Sequence, residues 1–213
     1  SKELLDFLSK SPTAFHAVEN YRQILNADGF KELLESEHWD IVPGGKYYVT
    51  RNNTSILAFK VGTKLDNYSF NIVTSHTDSP TFKVKENAEI EVKNKYTQLN
   101  TEGYGGMLCA TWLDRPLSIA GRVLVSEGNS IVTKLLNIDR DLLMIPNVAI
   151  HMNRAANDGF KYNLQVDMLP LLSGGDDRQK DFKQIIADEL GVKKEDILGH
   201  DLYLYNRMAP SIW

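Results

Sequence analysis

The amino-acid sequence predicts an α/β protein. Three observations carry this: a helical spacing in the first thirty residues, a series of short β-type runs from residue 46 onward, and an amphipathic run after residue 176 followed by one more β run. Helices that alternate with strands need a sheet to bury their apolar faces, so the two element types imply one layered architecture.

The elements follow in order. Ser11 is placed as the N-cap of the first clear helix, with Pro12 at its first helical position. Phe15, Val18, Tyr21 and Leu25 recur at helical spacing, with Arg22 on the polar edge, and Asp28-Gly29 ends the run. A short apolar piece, residues 30–34, follows. Gly44-Gly45 makes a turn. Residues 46–50 and 55–61 read as strands joined by Arg51-Asn52-Asn53-Thr54, a hairpin-like connection. Residues 68–75, with Tyr68, Phe70, Ile72 and Val73, read as the third and most strand-like run. Residues 83–95 alternate charged and apolar side chains, as a solvent-facing sheet does. Glu102-Gly103-Tyr104-Gly105-Gly106 reads as a turn-rich break. Residues 117–125 and 131–138 read as further strands. Residues 176–190 read as an amphipathic helix, with Asp176 or Asp177 near the N-cap and Gly191 just past the end. Residues 201–205 are the last expected strand. No internal repeat or low-complexity tract interrupts the chain.

Composition removes several function classes. At 213 residues the chain has room for one large domain or two modest ones. A net charge of −4 supplies no basic surface for nucleic acid or acidic lipid. No apolar run approaches a membrane span. The single cysteine, Cys109, rules out an internal disulfide framework and fits a reducing compartment. The N-terminus lacks the layout of a secretory signal. A cytoplasmic location is the expectation, with neither nucleic acid nor membrane as partner.

The candidate chemistry starts at His76-Thr77-Asp78-Ser79, which closes the run 68–75. Residues i and i+2 of an extended chain point the same way. Asp78 is therefore placed to accept the second ring N–H of His76, which fixes the tautomer and raises the basicity of a metal-ligating imidazole. An isolated His-x-Asp is more often a packed histidine beside a turn-capping aspartate. The preceding strand, the Ser79-Pro80 break and the position outside a strand's carboxyl end favour the metal reading. His151 has apolar neighbours and reads from spacing alone as a half-buried histidine. His16 and His38 read as structural or solvated, and His200 as a loop residue before a strand. Cys109 reads as a small core residue, since nothing local lowers its thiol pKa. No Gly-x-Ser-x-Gly elbow or phosphate-binding glycine loop is present. Gly174-Gly175-Asp176-Asp177 reads as a helix cap, and Asp114-Arg115 as an ion pair holding a turn.

Taken together, several segments resemble the aspartyl aminopeptidase family of two-zinc metallopeptidases. They are Ser11-Pro12-Thr13-Ala14-Phe15-His16-Ala17-Val18, Ser75-His76-Thr77-Asp78-Ser79-Pro80, the stretch 104–115 from Tyr104-Gly105-Gly106 to Leu113-Asp114-Arg115, Leu117-Ser118-Ile119-Ala120-Gly121-Arg122-Val123, and Ile145-Pro146-Asn147-Val148-Ala149-Ile150-His151. The resemblance runs along nearly the whole chain, and the glycine-rich and Ile-Pro-Asn segments are more specific than His-x-Asp.

The resemblance implies a fold, an activity and a set of site residues. The fold is a zinc-exopeptidase-like α/β catalytic domain, incomplete here, with an inserted β-rich dimerisation domain. The divisions are residues 1–88 for the first catalytic segment, 89–199 for the insert and 200–213 for the return into the catalytic domain. The activity is removal of an N-terminal Asp or Glu from peptides, using two zinc ions. His76 corresponds to a metal ligand and Asp78 to the carboxylate that orients it. His151 corresponds to a histidine presented to the active site of a neighbouring subunit, which replaces the half-buried reading. Homodimers build a larger homo-oligomer. Met107, Cys109 and Pro116 depart from the family pattern within the insert. The family's bridging aspartate, its paired glutamates including the general base, its second-metal carboxylate and its final histidine have no counterpart before residue 213. A catalytic zinc takes about three protein ligands, and only His76 is matched. The chain therefore reads as the N-terminal part of such an enzyme, inactive alone. A non-catalytic oligomerisation module and a related two-zinc aminopeptidase of different specificity are the alternatives.

Overall fold

The computed structural model describes residues 2–67, 69–174 and 181–212. It divides into two compact units, Ser1–Ser79 and Pro80–Trp213.

In the first unit, α1 (Lys2–Ser9) precedes α2 (Ala14–Ala27). The helical spacing of Phe15 and Val18 puts both, with Ala17, in the buried face of α2. The N-cap of α2 is Thr13, with extended backbone, and its side chain caps no N–H. The cap thus falls two residues after the expected Ser11, and Pro12 lies outside the helix. Asp28 closes α2 and Gly29 follows at φ 79°, a left-handed position that glycine takes without steric cost. A three-stranded sheet follows in the order β1 (Lys31–Glu32), β2 (Lys46–Arg51), β3 (Ser55–Lys60). β1 runs parallel to β2, and β2 and β3 form an antiparallel hairpin. Asn52 and Asn53 turn that hairpin at φ 52° and 55°, conformations that asparagine tolerates better than most residues. α2 is held to the sheet by polar contacts as well as by Phe15 and Val18. The Tyr48 hydroxyl donates to Asn26 Oδ1 at 3.0 Å, and Arg22 reaches Glu32 at 2.9 Å.

The expected strand at 68–75 does not form. Tyr68 lies outside the described residues, and residues 69–80 carry no regular structure. Phe70, Ile72 and Val73 are 78%, 77% and 98% exposed. The reason is physical: apolar residues on both parities, Ile72 and Val73, suit a strand buried on both faces, and such a strand needs paired neighbours and covering layers. Among the described residues no strand pairs with this run.

The second unit is a six-stranded antiparallel sheet in the order β7-β6-β9-β4-β5-β8. Its strands are β4 (Thr81–Val92), β5 (Tyr96–Tyr104), β6 (Leu117–Glu127), β7 (Ser130–Asn137), β8 (Leu171–Gly174) and β9 (Ile197–Asn206). α3 (Phe182–Leu190) covers part of it. Its N-cap is Asp181, whose carboxylate accepts the Gln184 N–H; Asp176 and Asp177 lie outside the described residues. Gly191 caps its C-terminus at φ 65°, as expected. The core joins Phe82, Val84, Leu99, Leu117, Ile119, Val123, Leu136, Ile145, Phe182, Ile186 and Leu202, all at most 2% exposed. Several elements differ from expectation: β8 is additional, and β4 ends at Val92 before a turn at Lys93-Asn94. Glu102, Gly103 and Tyr104 finish β5 before the turn begins at Gly105. His200 lies within β9, opposite Val123.

β9 is central. It joins β6 over nearly its whole length and touches β4 at Lys83 opposite Tyr203. Asp201 of β9 accepts Lys83 at 2.8 Å through Oδ1 and Arg122 at 2.8–2.9 Å through Oδ2. Burial pushes this carboxyl up, but the hydrogen bonds of Lys83 and Arg122 outweigh it and hold the group below the ordinary carboxylate range.

Two predictions follow from packing. A Cβ at residue 121 would stand 2.0 Å from the Asp201 carbonyl oxygen, inside atomic contact. Gly121→Ala is expected to destabilise the second unit by about 2–3 kcal/mol, as overpacking of a closed site does, read as a lower urea midpoint with unchanged slope. His16, on α2, is held by burial at a pKa of about 4 against an ordinary 6.5. A histidine kept neutral in the fold contributes stability that is full above its unfolded pKa and is lost as pH falls toward the folded one. The first unit is therefore expected to weaken between pH 6.5 and 4, and His16→Gln is expected to flatten that dependence in denaturant titrations at pH 7 and pH 5.

Candidate functional site

His76 and Asp78 belong to the first unit. The chain from residue 69 to 80 is held near them by Thr77, whose hydroxyl donates to the Thr54 carbonyl in the β2–β3 turn at 2.6 Å. The His76 Nδ1 lies 2.9 Å from the Asp78 carbonyl oxygen and 3.0 Å from its Oδ1. Both of those oxygens accept only, so Nδ1 carries the proton and donates. In the neutral ring Nε2 then holds the lone pair. The imidazole side chain is 79% exposed and the Asp78 side chain 47%. This is the geometry of a ligating histidine with its orienting carboxylate. The difference from the expectation is the backbone: the pair stands on an irregular segment and not at the end of a paired strand.

A zinc site needs more donors than this pair supplies. Among the described residues no group of three or more His, Cys, Asp and Glu side chains is arranged to hold a metal. One oriented imidazole fits a zinc ion, and the rest of a ligand set does not accompany it.

His151 belongs to the second unit and is exposed. Its loop is built from backbone upward. Leu143 and Ile145 are buried, and Ile145 bridges to Leu113. Asp114, at φ 54°, donates its N–H to the Ile145 carbonyl at 2.9 Å and accepts the Asn147 N–H on Oδ1 at 2.9 Å. Asp114 thus anchors this loop and does not clamp Arg115, as the sequence suggested. Past Asn147 the chain leaves the core. Val148, Ile150 and Met152 are 47%, 46% and 79% exposed, and the Met152 N–H closes a turn on Ala149 at 2.8 Å. His151 rides on that turn. Cys109 is free, half-buried and packed against the core cluster.

The second unit also carries a cleft of about 300 Å³ lined by Glu86, Glu89, Asp181, Phe182, Lys194 and His200. Its charges are largely matched: Lys194 pairs with Asp181, and Glu89 accepts the Phe182 N–H. Burial beside the Phe182 ring, 6.1 Å away and edge-on, pushes the His200 imidazole below its ordinary pKa. His200 was read from sequence as a loop residue. Leu202 and Leu204 alternate inward, but Ile197 lies on the other parity because the register shifts between Gly199 and Ile197, so no simple alternation extends the strand back across His200.

Known proteins resemble the chain along its length. The pattern of the family "Aminopeptidase I zinc metalloprotease (M18)" matches residues 7–212. A probable M18 family aminopeptidase 2 of Clostridium novyi is 47% identical over 218 residues, covering 100% of this chain and 50% of the relative. One from Clostridium acetobutylicum is 47% identical over 211 residues, covering 96% of this chain and 49% of the relative. The chain spans about half the length of these curated relatives. Among solved structures, the cryo-EM structure of the Ape4 and Nbr1 complex matches with a TM-score of 0.91 at 34% identity, covering 97% of this chain and 44% of that one. Chaetomium thermophilum mApe1 matches with a TM-score of 0.88 at 29% identity, covering 98% and 51%. A dodecamer of mApe1 from S. cerevisiae matches with a TM-score of 0.77 at 26% identity, covering 98% and 48%. A mixed α/β fold with a β-rich second unit is what these neighbours share with it. The chain belongs to the aminopeptidase I (M18) family of zinc metalloproteases.

Proposed function

We propose that the chain is the N-terminal part of a zinc-dependent aminopeptidase that removes acidic residues, Asp or Glu, from the N-termini of peptides. The observation that carries the metal role is the His76–Asp78 pair, in which the Nδ1–H donates to the carboxylate and the ring is largely exposed. His76 is the ligand this chain contributes to one of two zinc ions, and Asp78 fixes its tautomer. Bound zinc supplies Lewis-acid polarisation and an acidified water. The general base and the remaining ligands lie in the part of such an enzyme that this chain does not match, so the chain alone is inactive.

The exposed apolar run at Phe70, Ile72 and Val73 supports that division. It has the composition of a strand for a sheet whose other members are not among the described residues. The domain reading is kept in the form the resemblance implies: residues 1–88 and 200–213 belong to the catalytic part and 89–199 to the insert. The compact units divide at Ser79 and Pro80, and β9 spans residue 200. His151 serves the active site of a neighbouring subunit in a homo-oligomer, located in the cytoplasm. Its place on an exposed turn among exposed Val148, Ile150 and Met152 suits a contact between subunits.

The test is a chimaera in which residues 1–213 replace the matching half of the Clostridium novyi relative. It is expected to release N-terminal Asp and Glu from peptides, while the 213-residue chain with added zinc releases neither. Asp78→Asn is expected to lower zinc affinity about 10–100-fold, the usual cost of losing an orienting partner. His151→Ala is expected to lower kcat with little change in zinc content. Chelator-sensitive turnover by the 213-residue chain itself would refute the division of labour. Equal rates on Asp, Glu, Leu and Ala peptides would establish the less selective aminopeptidase instead. Failure of the chimaera to bind zinc, although folded, would leave the association role as the function.

A further inference from the structure

We propose that Asp114 is a positioning residue for His151: its carboxylate clips the loop that carries this histidine and so aims the imidazole at the active site of a neighbouring subunit. This rests on the role given to His151 above and adds what holds it in place.

Asp114 follows the short 3-10 turn Cys109–Trp112 and the buried Leu113. It stands at φ 54°, a left-handed position that aspartate takes more readily than most residues. From there it bonds the His151 loop twice. Its N–H donates to the Ile145 carbonyl at 2.9 Å, and its Oδ1 accepts the Asn147 N–H at 2.9 Å. One residue thus holds the loop on both sides of Pro146, which has no N–H of its own to anchor.

Behind the clip the segment is tied down. Ile145 is fully buried, Leu143 exchanges backbone bonds with Leu117, and Met144 exchanges them with Leu171. Beyond the clip the bonds pass along the loop itself. Asn147 Oδ1 accepts the Val148 N–H at 2.8 Å, and the Met152 N–H closes a turn on the Ala149 carbonyl at 2.8 Å. His151 is the third residue of that turn. The Asp114 carboxylate is therefore where the fixed part of the unit hands its geometry to the histidine.

The loop needs such a hold. Val148, Ile150 and Met152 are exposed, and an apolar run left to itself gains by folding back onto its own unit. A bond from a backbone N–H to a carboxylate is charge-assisted and stronger than a neutral one. Displacing a reacting group by about 1 Å costs about 100-fold in rate. The clip thus sets how well His151 works, although Asp114 itself takes no part in the reaction.

The test uses the chimaera described above, with kcat, KM and zinc content measured for each variant. Asp114→Gly takes the same φ without strain and lacks the carboxylate. It is expected to lower kcat about 10–100-fold, with little change in KM or zinc content. Asp114→Asn keeps an Oδ1 acceptor and tolerates the same φ, and is expected to restore most of the rate. In a His151→Ala background Asp114→Gly is expected to add no further loss, because its effect passes through that imidazole. Hydrogen exchange of the 213-residue chain reads the clip without turnover. Asp114→Gly is expected to speed exchange of the Asn147, Val148 and Met152 amides and to leave Leu143 and Met144 as they were.

A folded Asp114→Gly chimaera with undiminished kcat overturns the proposal, as does a further loss of the same size in the His151→Ala background. Asp114→Asn as slow as Asp114→Gly overturns the acceptor role. Unchanged exchange at Asn147 in Asp114→Gly overturns the clip whatever the kinetics. An undiminished rate in His151→Ala overturns instead the role of His151 on which the proposal rests. A folded chimaera without turnover overturns the aminopeptidase reading itself.

Discussion

The second unit depends on β9 lying between β6 and β4. That strand comes from the end of the chain, more than a hundred residues after β4, and Asp201 is where its two neighbours are tied to it. One carboxylate accepts Lys83 from β4 and Arg122 from β6. The stabilisation itself is mostly apolar: burying a Val, Leu, Ile or Phe is worth about 1.5–3 kcal/mol each, and the core holds many. What Asp201 adds is register. A one-residue slip of β9 would turn Leu202 and Leu204 from the core to the open face. The same slip would take the carboxylate away from both cations. Gly121, opposite Leu202, lets the backbones approach closely enough for this pairing.

Legibility tracked how local the cause was. The β2–β3 hairpin was readable because Asn52 and Asn53 carry their own turn preference, and the end of α3 because Gly191 carries a left-handed cap. β6 and β7 were readable as runs rich in β-branched and apolar residues. β8 was not, since four residues beside Pro170 show no period of two and pair only because β5 is there. His200 was misplaced for the same reason: Gly199 and His200 resemble a loop, and partners from β6 hold them in a strand. The run at 70–75 failed in the opposite direction. Its propensity is high, but a ladder requires a neighbour, and propensity supplies none.

The candidate site shows the same contrast. The His76–Asp78 contact is a two-residue matter, so the sequence alone placed the carboxylate behind the ring, and the 3.0 Å distance agrees. The environment of His151 was not readable. Its apolar neighbours suggested a half-buried ring, yet Val148, Ile150 and Met152 are themselves exposed. Local hydrophobicity reports burial only when a core is near enough to receive it. Here the anchor at Asp114 and Asn147 turns the loop outward before those residues are reached. A loop that apolar gains from being covered.

The oriented histidine therefore stands on a stretch without regular structure. Among the described residues, 69–80 join no ladder, and the Thr77 hydroxyl ties the stretch to the Thr54 carbonyl of the β2–β3 turn. Ordering a residue's backbone costs about 1–2 kcal/mol, and a single net hydrogen bond returns about 1. Hydrogen bonds of that size offset only part of the cost of ordering a dozen residues. A metal site demands such fixity, because ligand affinity falls when the imidazole samples other directions. The two needs have one answer: strand pairing that buried Phe70, Ile72 and Val73 would fix the backbone that carries His76. Burying three such side chains is worth roughly 5–8 kcal/mol in transfer free energy, enough to offset much of the ordering cost. On the proposed metal role of His76, zinc binding and strand pairing of the apolar run would be one equilibrium.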